Sequence, residues 1–294
     1  MKHAYLIMAH NEIDLLKLLL RKLDYENNTI YLHCDTKFNC NLEEFRAVLN
    51  VAKIYFIKRL NVQWGKYSQI QCELELLKKA LEQEHDYYHL LSGVDLPIKS
   101  HEEIDAFFEE HKGTEFVSYD KKSNETQNFI NRFNKWHFRL HSRTNNNIKN
   151  RFIWLCNIPL IMLEKTANLL IGNRSKKYPD ITFMKGSTLF DITHELASYV
   201  VKKEDFIKKA FKFSSCCDEV FLQTIAYNSP FAKNIASYNI RYIDWSKHGK
   251  SPELLTLDHY ESIINSEHLF ARKFSSIKSK ELIEKLYGID FLQE

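Results

Sequence analysis

Three short stretches in the second half of the chain hold the side chains best suited to chemistry. Cys217-Asp218-Glu219-Val220-Phe221 sets Glu219 where a helical pattern, Glu219–Tyr227, begins. A helix N-terminus favours the ionised carboxylate, the form a general base must hold before it takes a proton. The plain alternative is a helix that opens on ordinary acidic residues. Ile240-Arg241-Tyr242-Ile243-Asp244-Trp245 and Leu269-Phe270-Ala271-Arg272-Lys273-Phe274 supply Arg241 and Lys273. The planar fork of an arginine and the mobile point charge of a lysine could together neutralise a diphosphate leaving group, or could form surface ion pairs. In the first half, Tyr88–Lys99 places Asp95 just past a buried apolar run, with Pro97 restricting the backbone beside it. Asp95 could accept hydrogen bonds from sugar or ribose hydroxyls, or could cap a helix starting near His101.

Missing patterns narrow the chemistry. The chain contains no Asp-x-Asp, the carboxylate pair that commonly holds a divalent cation between phosphates, and no P-loop, G-x-G-x-x-G, G-x-S-x-G or H-E-x-x-H. Phosphate charge would then fall to protein cations, with no metal or other cofactor. With 41 basic and 38 acidic residues the net charge is only +3, so a polyanionic partner such as nucleic acid is not implied. The six cysteines form no C-x-x-C pair, and the apolar run at the N-terminus is too short for an export signal. Both features point to a cytoplasmic chain without a disulfide framework. The apolar stretch Phe152–Leu163 is interrupted by Asn157 and Pro159 and falls short of the ~20 residues a spanning helix needs. Basic residues between 149 and 177 flank it, which suits either a helix peripheral to an anionic membrane or an internal helix with solvated ends.

The elements that must position these groups alternate. Strand-like runs fall at Ala4–Ala9, Thr29–Cys34, Lys53–Ile57 and Tyr87–Leu91, and helical spacing falls at Ile13–Leu23 and Ile70–Leu81. That order predicts an α/β fold built on a mainly parallel sheet. Polar clusters follow the strands: His10-Asn11, Asp35-Thr36-Lys37, Asn61–Gly65 and Ser92–Asp95. In such sheets ligands bind outside the carboxyl ends of the strands, so the four clusters should meet in one crevice. Residues 119–180 differ, being Asn-rich and basic with a loop expected at Asn145-Asn146-Asn147, and are expected to form a variable insertion within one domain spanning 1–294. A nucleotide-binding half (1–118) precedes it and a half for the acceptor and catalysis (181–294) follows, with a strand at Ile181–Phe190, a strand at Ile240–Trp245 and a helix near Leu257–Ile264.

Taken together, Ala4–Asn11, Tyr31–Lys37, Trp64–Gln69, Tyr88–Ser100, Lys185–Ser187, Asp218–Ser229, Arg241–Trp245 and Leu269–Phe274 resemble, in order, the core-2/I-branching β-1,6-N-acetylglucosaminyltransferases, a family that includes peptide O-xylosyltransferases. The resemblance implies a glycosyltransferase-A type fold, a Rossmann-like sheet flanked by helices, and an inverting, metal-independent transfer from a UDP-sugar. UDP-GlcNAc is the first donor it suggests and UDP-xylose the second. By position it makes Glu219 the catalytic base and Arg241 and Lys273 the diphosphate ligands. Met8, Asp35 and Trp64 fall where the family contacts uridine, and Asp95 at its sugar-proximal acid, with His10, Asn11 and Ser187 as further substrate contacts. The acceptor it implies is a glycan hydroxyl; a lipid-linked cell-surface polysaccharide or lipopolysaccharide would suit the basic-flanked apolar stretch. A sugar-nucleotide-binding protein without catalysis is the competing reading, and a membrane-surface module around 149–177 a third.

Overall fold

The computed structural model describes residues 1–119, 127–139, 147–236, 238–247, 249 and 251–291. Strands and helices alternate through its first third: β1 (His3–Ala9), α1 (Ile13–Lys22), β2 (Asn28–Cys34), α2 (Leu42–Ala47), β3 (Lys53–Phe56), α3 (Tyr67–Ala80) and β4 (Tyr87–Ser92). β1, β2 and β4 are almost wholly buried, and their near-continuous apolar runs are what strands covered on both faces require. Along β1, Tyr5, Ile7 and Ala9 face α1, while Ala4 and Leu6 face α3. Each face therefore closes its own apolar core.

The strands β3, β2, β1 and β4 lie side by side in that order, all parallel. After β3 the chain crosses back to place β4 on the free side of β1, so the winding reverses between β1 and β4. Such a switch point opens a crevice at the carboxyl ends of the two strands.

Beyond β4 the chain forms β5 (Leu96–Pro97), α4 (His101–Glu110) and β6 (Glu115–Phe116), then α5 (Gln127–Asn134) and α6 (Asn147–Leu170). Next come β7 (Asp191–Thr193), α7 (His194–Lys202), α8 (Glu204–Phe211), α9 (Phe221–Tyr227), β8 (Ile235–Ala236), β9 (Arg241–Ile243), α10 (Tyr260–Ile264), β10 (Phe270–Arg272) and α11 (Lys280–Tyr287). The main sheet continues β4-β7-β6-β8, with β7 antiparallel to both its neighbours. A small second sheet, β5-β10-β9, packs into the α1 face of the core. The whole is the α/β architecture expected, a Rossmann-like, mainly parallel sheet flanked by helices.

Four local expectations differ. Ile181–Phe190 is not a strand: Thr182 N donates to Asn228 Oδ1, Met184 N to Thr224 Oγ1 and Gly186 N to the Glu219 carbonyl, which satisfies the backbone away from any ladder. Only Asp191–Thr193 then joins the sheet. The helix expected from Glu219 is a 3-10 turn at Cys217–Glu219 followed by α9. The helix expected at Leu257–Ile264 is likewise split into a 3-10 turn, Leu257–His259, and α10. Finally, α4 is capped by Ser100, which with Glu103 forms a capping box, and not by Asp95. Of the loop expected at 145–147, Asn145 and Asn146 lie outside the described residues and Asn147 begins α6. Among the described residues from 119 to 180 no strand occurs.

Candidate active site

Met8 and Ala9, the last residues of β1, form the floor of the crevice: the Met8 carbonyl accepts from Gly93 N at 3.0 Å and the Ala9 carbonyl from Asp35 N at 2.9 Å. One wall is the turn after β2. Buried Asp35 accepts from Lys37 N through Oδ1 (2.8 Å) and from Val62 N through Oδ2 (2.9 Å), and Lys37 Nζ donates to the Val62 carbonyl (2.7 Å). Asp35 therefore shapes the wall from within. His10 and Asn11 are exposed at the rim. Partial burial of its ring lowers the pKa of His10 and nearby Asp35 opposes that shift. Trp64 stands 53% exposed on the loop that Asp35 holds through Val62.

That same loop carries the wall to Glu219. Gly65 N donates to Gln69 Oε1, Gln69 Nε2 donates to Asp218 Oδ2 at 3.1 Å, and Cys216 N donates to the Gly65 carbonyl at 2.9 Å. A Cβ on Gly65 would sit 2.9 Å from Cys216 Sγ, on a backbone whose φ of +69° already favours glycine. Thr188 Oγ1 also donates to Asp218 Oδ2 (3.1 Å). Burial, followed by the charge of Glu219, pushes the Asp218 carboxyl up to about 6. Near it Glu73, fully buried on α3, has no hydrogen-bond partner among the described residues for either carboxyl oxygen, and burial, with the charge of Asp218, holds its pKa well above the usual carboxylate range.

Glu219 itself is half-buried. Arg132 Nη1 on α5 lies 2.5 Å from Glu219 Oε2, and Lys185 Nζ lies 3.8 Å from the same oxygen. Burial works against the Arg132 charge, but the Glu219 carboxylate outweighs it and raises the arginine's pKa. The anion is therefore held by two side-chain cations, in place of the helix N-terminus expected. Gly186 N donates to the Glu219 carbonyl, and a Cβ on Gly186 would fall 1.6 Å from the Ser118 carbonyl oxygen, so only glycine allows that approach. Ser187 is partly buried beside this crossing: its N–H donates to Ser118 Oγ (3.1 Å), and its carbonyl accepts from Gln223.

The opposite wall is Ser92–Asp95 with β10. Asp95 is fully buried and accepts from Ser92 N (2.9 Å) and Ser92 Oγ (2.7 Å), with Arg272 Nε 3.5 Å from its Oδ1. Phe274 N donates to the Val94 carbonyl (3.0 Å), which seats Lys273 next to this turn. Lys273 Nζ reaches Ser251 Oγ at 3.3 Å in an exposed setting.

Arg241 lies elsewhere. Its guanidinium, 1% exposed, clasps Asp191 with Nη1–Oδ2 at 2.5 Å and Nη2–Oδ1 at 2.9 Å, and also donates to the Leu90 carbonyl at 3.0 Å. His89 Nδ1 meets Asp191 Oδ1 (2.9 Å), His3 Nδ1 meets His89 Nε2 (2.8 Å), and His3 Nε2 meets Asp105 Oδ1 (2.8 Å). Burial would raise the Asp191 pKa, yet Arg241 and His89 more than offset it and hold the carboxyl below its usual range. Burial pushes His89 down to about 4. Arg241 is thus a buried brace among β9, β7 and β4, and in this arrangement its charge is already met.

The structure brings Met8, His10, Asn11, Asp35 and Trp64 around one wall and floor, joins Glu219 to that wall, and sets Asp95 and Lys273 on the other. Arg132, Gln69, Asp218 and Arg272 were not singled out from sequence. Arg272, Asp218 and Gln69 stood inside stretches already singled out, whereas no sequence pattern marked Arg132. Among the described residues no three His, Cys, Asp or Glu side chains gather at metal-binding distance.

Xylosyltransferase 2 of Rattus norvegicus is 24% identical over 318 aligned residues, covering 97% of this chain and 34% of the relative. Xylosyltransferase 1 of Homo sapiens is 22% identical over 314, covering 96% and 30%. The chain thus spans about a third of the length of these curated relatives. Among solved structures, apo mouse xyloside xylosyltransferase 1 aligns with a TM-score of 0.38 at 10% identity over 91% of this chain and 96% of its own. S. aureus TarS 1-349 aligns with a TM-score of 0.38 at 13% identity over 80% and 57%. Neither likeness is close enough to bear on function. A family model described as core-2/I-branching enzyme matches residues 3–269, from the start of β1 to the residue before β10, and by that match the chain belongs to the core-2/I-branching enzyme family.

Proposed function

We propose that the chain is a glycosyltransferase that moves a sugar from a UDP-sugar to a hydroxyl of a glycan acceptor, with Glu219 as general base. The observation that carries this is the division of labour on one carboxylate: both cations approach Oε2, while Oε1 accepts no hydrogen bond from the described residues. A fixed anion with one oxygen left over suits removal of a proton from an incoming hydroxyl. The acceptor oxygen attacks the anomeric carbon from the face opposite the nucleotide, its proton passes to Glu219, and the bond to UDP breaks with its electron pair leaving on the β-phosphate. The configuration at the anomeric carbon inverts.

The leaving diphosphate needs positive charge. Lys273 supports that role through its exposed amine, and Arg272, its neighbour at the end of β10, joins it as a second candidate: its Nε lies 3.5 Å from Asp95 Oδ1 and has no hydrogen bond among the described residues. Such fixed cations act most strongly where water is partly excluded. With them the transfer runs without a metal ion. Asp35 and Trp64 serve the uridine side. For the donor, UDP-GlcNAc follows from the family's acetylglucosaminyltransferases and UDP-xylose from the xylosyltransferases among the relatives.

Product formation from each donor, measured in EDTA, tests the reading. Transfer should persist in chelator, and Glu219→Gln should lower it by about 10²- to 10⁴-fold while UDP still raises the melting temperature. Turnover retained in that variant removes Glu219 from the base role; turnover that returns only with Mn²⁺ removes the metal-independent account. UDP binding with no transfer to any glycan acceptor would leave a sugar-nucleotide-binding protein.

A further inference from the structure

We infer that α6 is a docking face for an anionic lipid surface, a role separate from the chemistry at Glu219. On α6, exposed Arg151, Trp154, Ile158, Met162, Lys165 and Leu169 recur at spacings of three and four, with Leu155, Pro159, Leu163, Thr166 and Leu170 exposed beside them. They therefore line one side of the helix. That side is unusually apolar for a solvent-facing surface, with Trp154 at 62%, Met162 at 67%, Leu169 at 82% and Leu170 at 77% exposure.

The opposite side is fastened to the body. Glu164 accepts from Phe138 N (3.2 Å) and Arg139 Nη2 (2.9 Å), Asn168 Oδ1 accepts from Trp136 N (2.8 Å), and Ala167 is buried. The rotation of α6 about its axis is thus set, and the apolar side is the one left outward.

Charge selects the occupant. Arg151 and Lys165 lie on the exposed side, and Lys176 and Lys177 are exposed just beyond the helix. Arg174 pins that last segment by donating to Ser214 Oγ (2.9 Å) and the Ala210 carbonyl (2.6 Å). From Arg151 to Lys177 the only acid is Glu164, which is buried and paired with Arg139. An apolar face edged by cations and free of exposed acid complements anionic headgroups over acyl chains. Two copies meeting through this face would instead bring like charges together. Among the described residues no helix is long and apolar enough to cross a membrane, so α6 lies along the surface.

The attachment has a geometric consequence. Residues 136–139, which hold α6, follow α5 after Lys135, and α5 carries Arg132 on Glu219.

Flotation of the whole chain with phosphatidylcholine vesicles, with and without phosphatidylglycerol, tests the inference. Binding should require the anionic lipid and fall with salt. The pair Met162→Glu and Leu169→Glu should weaken binding by about tenfold or more, with circular dichroism and melting temperature unchanged. Replacing Lys165, Lys176 and Lys177 together with Gln should weaken it by about fivefold per charge, and this variant keeps the test open should the glutamates prevent folding. Equal flotation of wild type and variants overturns the proposal, as does equal flotation on neutral vesicles. A dimer in solution that the glutamate pair converts to monomer also overturns it, because a second copy is then the occupant.

Discussion

Two arginine–carboxylate pairs in this molecule have the same closest approach, 2.5 Å, and opposite settings. Arg241 and Asp191 are each 1% exposed; both Nη groups and both carboxylate oxygens are engaged, with His89 and two main-chain carbonyls included, and only Arg241 Nε has no hydrogen bond among the described residues. Arg132 and Glu219 are 31% and 36% exposed, with both cations on one oxygen. The first pair is a closed brace, whereas the second keeps an anion in place and leaves part of it available. Distance alone does not separate structure from chemistry; solvent access and unfilled bonding capacity do.

The largest expected effect tests the closed pair. Arg241→Met leaves Asp191 in the interior without its permanent cation and with only His89 beside it, which should cost about 3–5 kcal/mol of folding stability, seen as a fall in melting temperature on the order of 10 °C. Glu219→Gln should shift it by about 2 °C or less, since half-exposed pairs contribute little. Equal shifts would break the distinction.

A pH series sharpens it next. Asp218 titrates at about 6 in the folded protein against 3.8 ordinarily, so the stability it gives as a neutral acid is complete below 3.8 and lost as pH rises through 6. His89 runs the other way: its neutral form is held to about 4, and its contribution, full above 6.5, is lost as pH falls toward 4. Asp218→Asn should remove the first slope and keep the second. The stability difference between wild type and variant should therefore change by about 3 kcal/mol from pH ~4 to ~6.5 in denaturant titrations.

Smaller effects probe the open side. Lys273→Ala should weaken UDP binding by about tenfold, the loss of one charge-assisted bond, while leaving the melting temperature of the free protein in place. Gln69→Leu breaks the link from Gly65 to Asp218 and should lower kcat by about three- to tenfold, with UDP affinity little changed in a titration.

Much of the strand-end crevice was legible because it depends on local order. Apolar runs of strand length separated by helical spacing specify parallel units, and the polar residues after each strand then fall at one edge. Asp35, Trp64, Asp95 and Met8, with His10 and Asn11 at the rim, were picked out by that rule together with the resemblance. The 3-10 turn at Glu219 was not legible, because the Glu219 carbonyl accepts from Gly186 N, which lies in a segment that itself reads as a strand.

Arg132 was hidden for a different reason. It stands 87 residues from Glu219, in a stretch without a recognisable motif, and only the packing of α5 brings it there. Gln69 and Asp218 are 149 residues apart, and Arg241 and Asp191 are 50 apart.

By itself the sequence determined the α/β order, the strand-end crevice and which residue types could act as base and phosphate ligand, since period and turn chemistry are properties of neighbours along the chain. Only the tertiary structure decided that Arg241 is sealed against Asp191 while one oxygen of Glu219 accepts no hydrogen bond from the described residues. Burial and saturation of a charge depend on groups far apart in sequence, and those meet only once the sheet has closed.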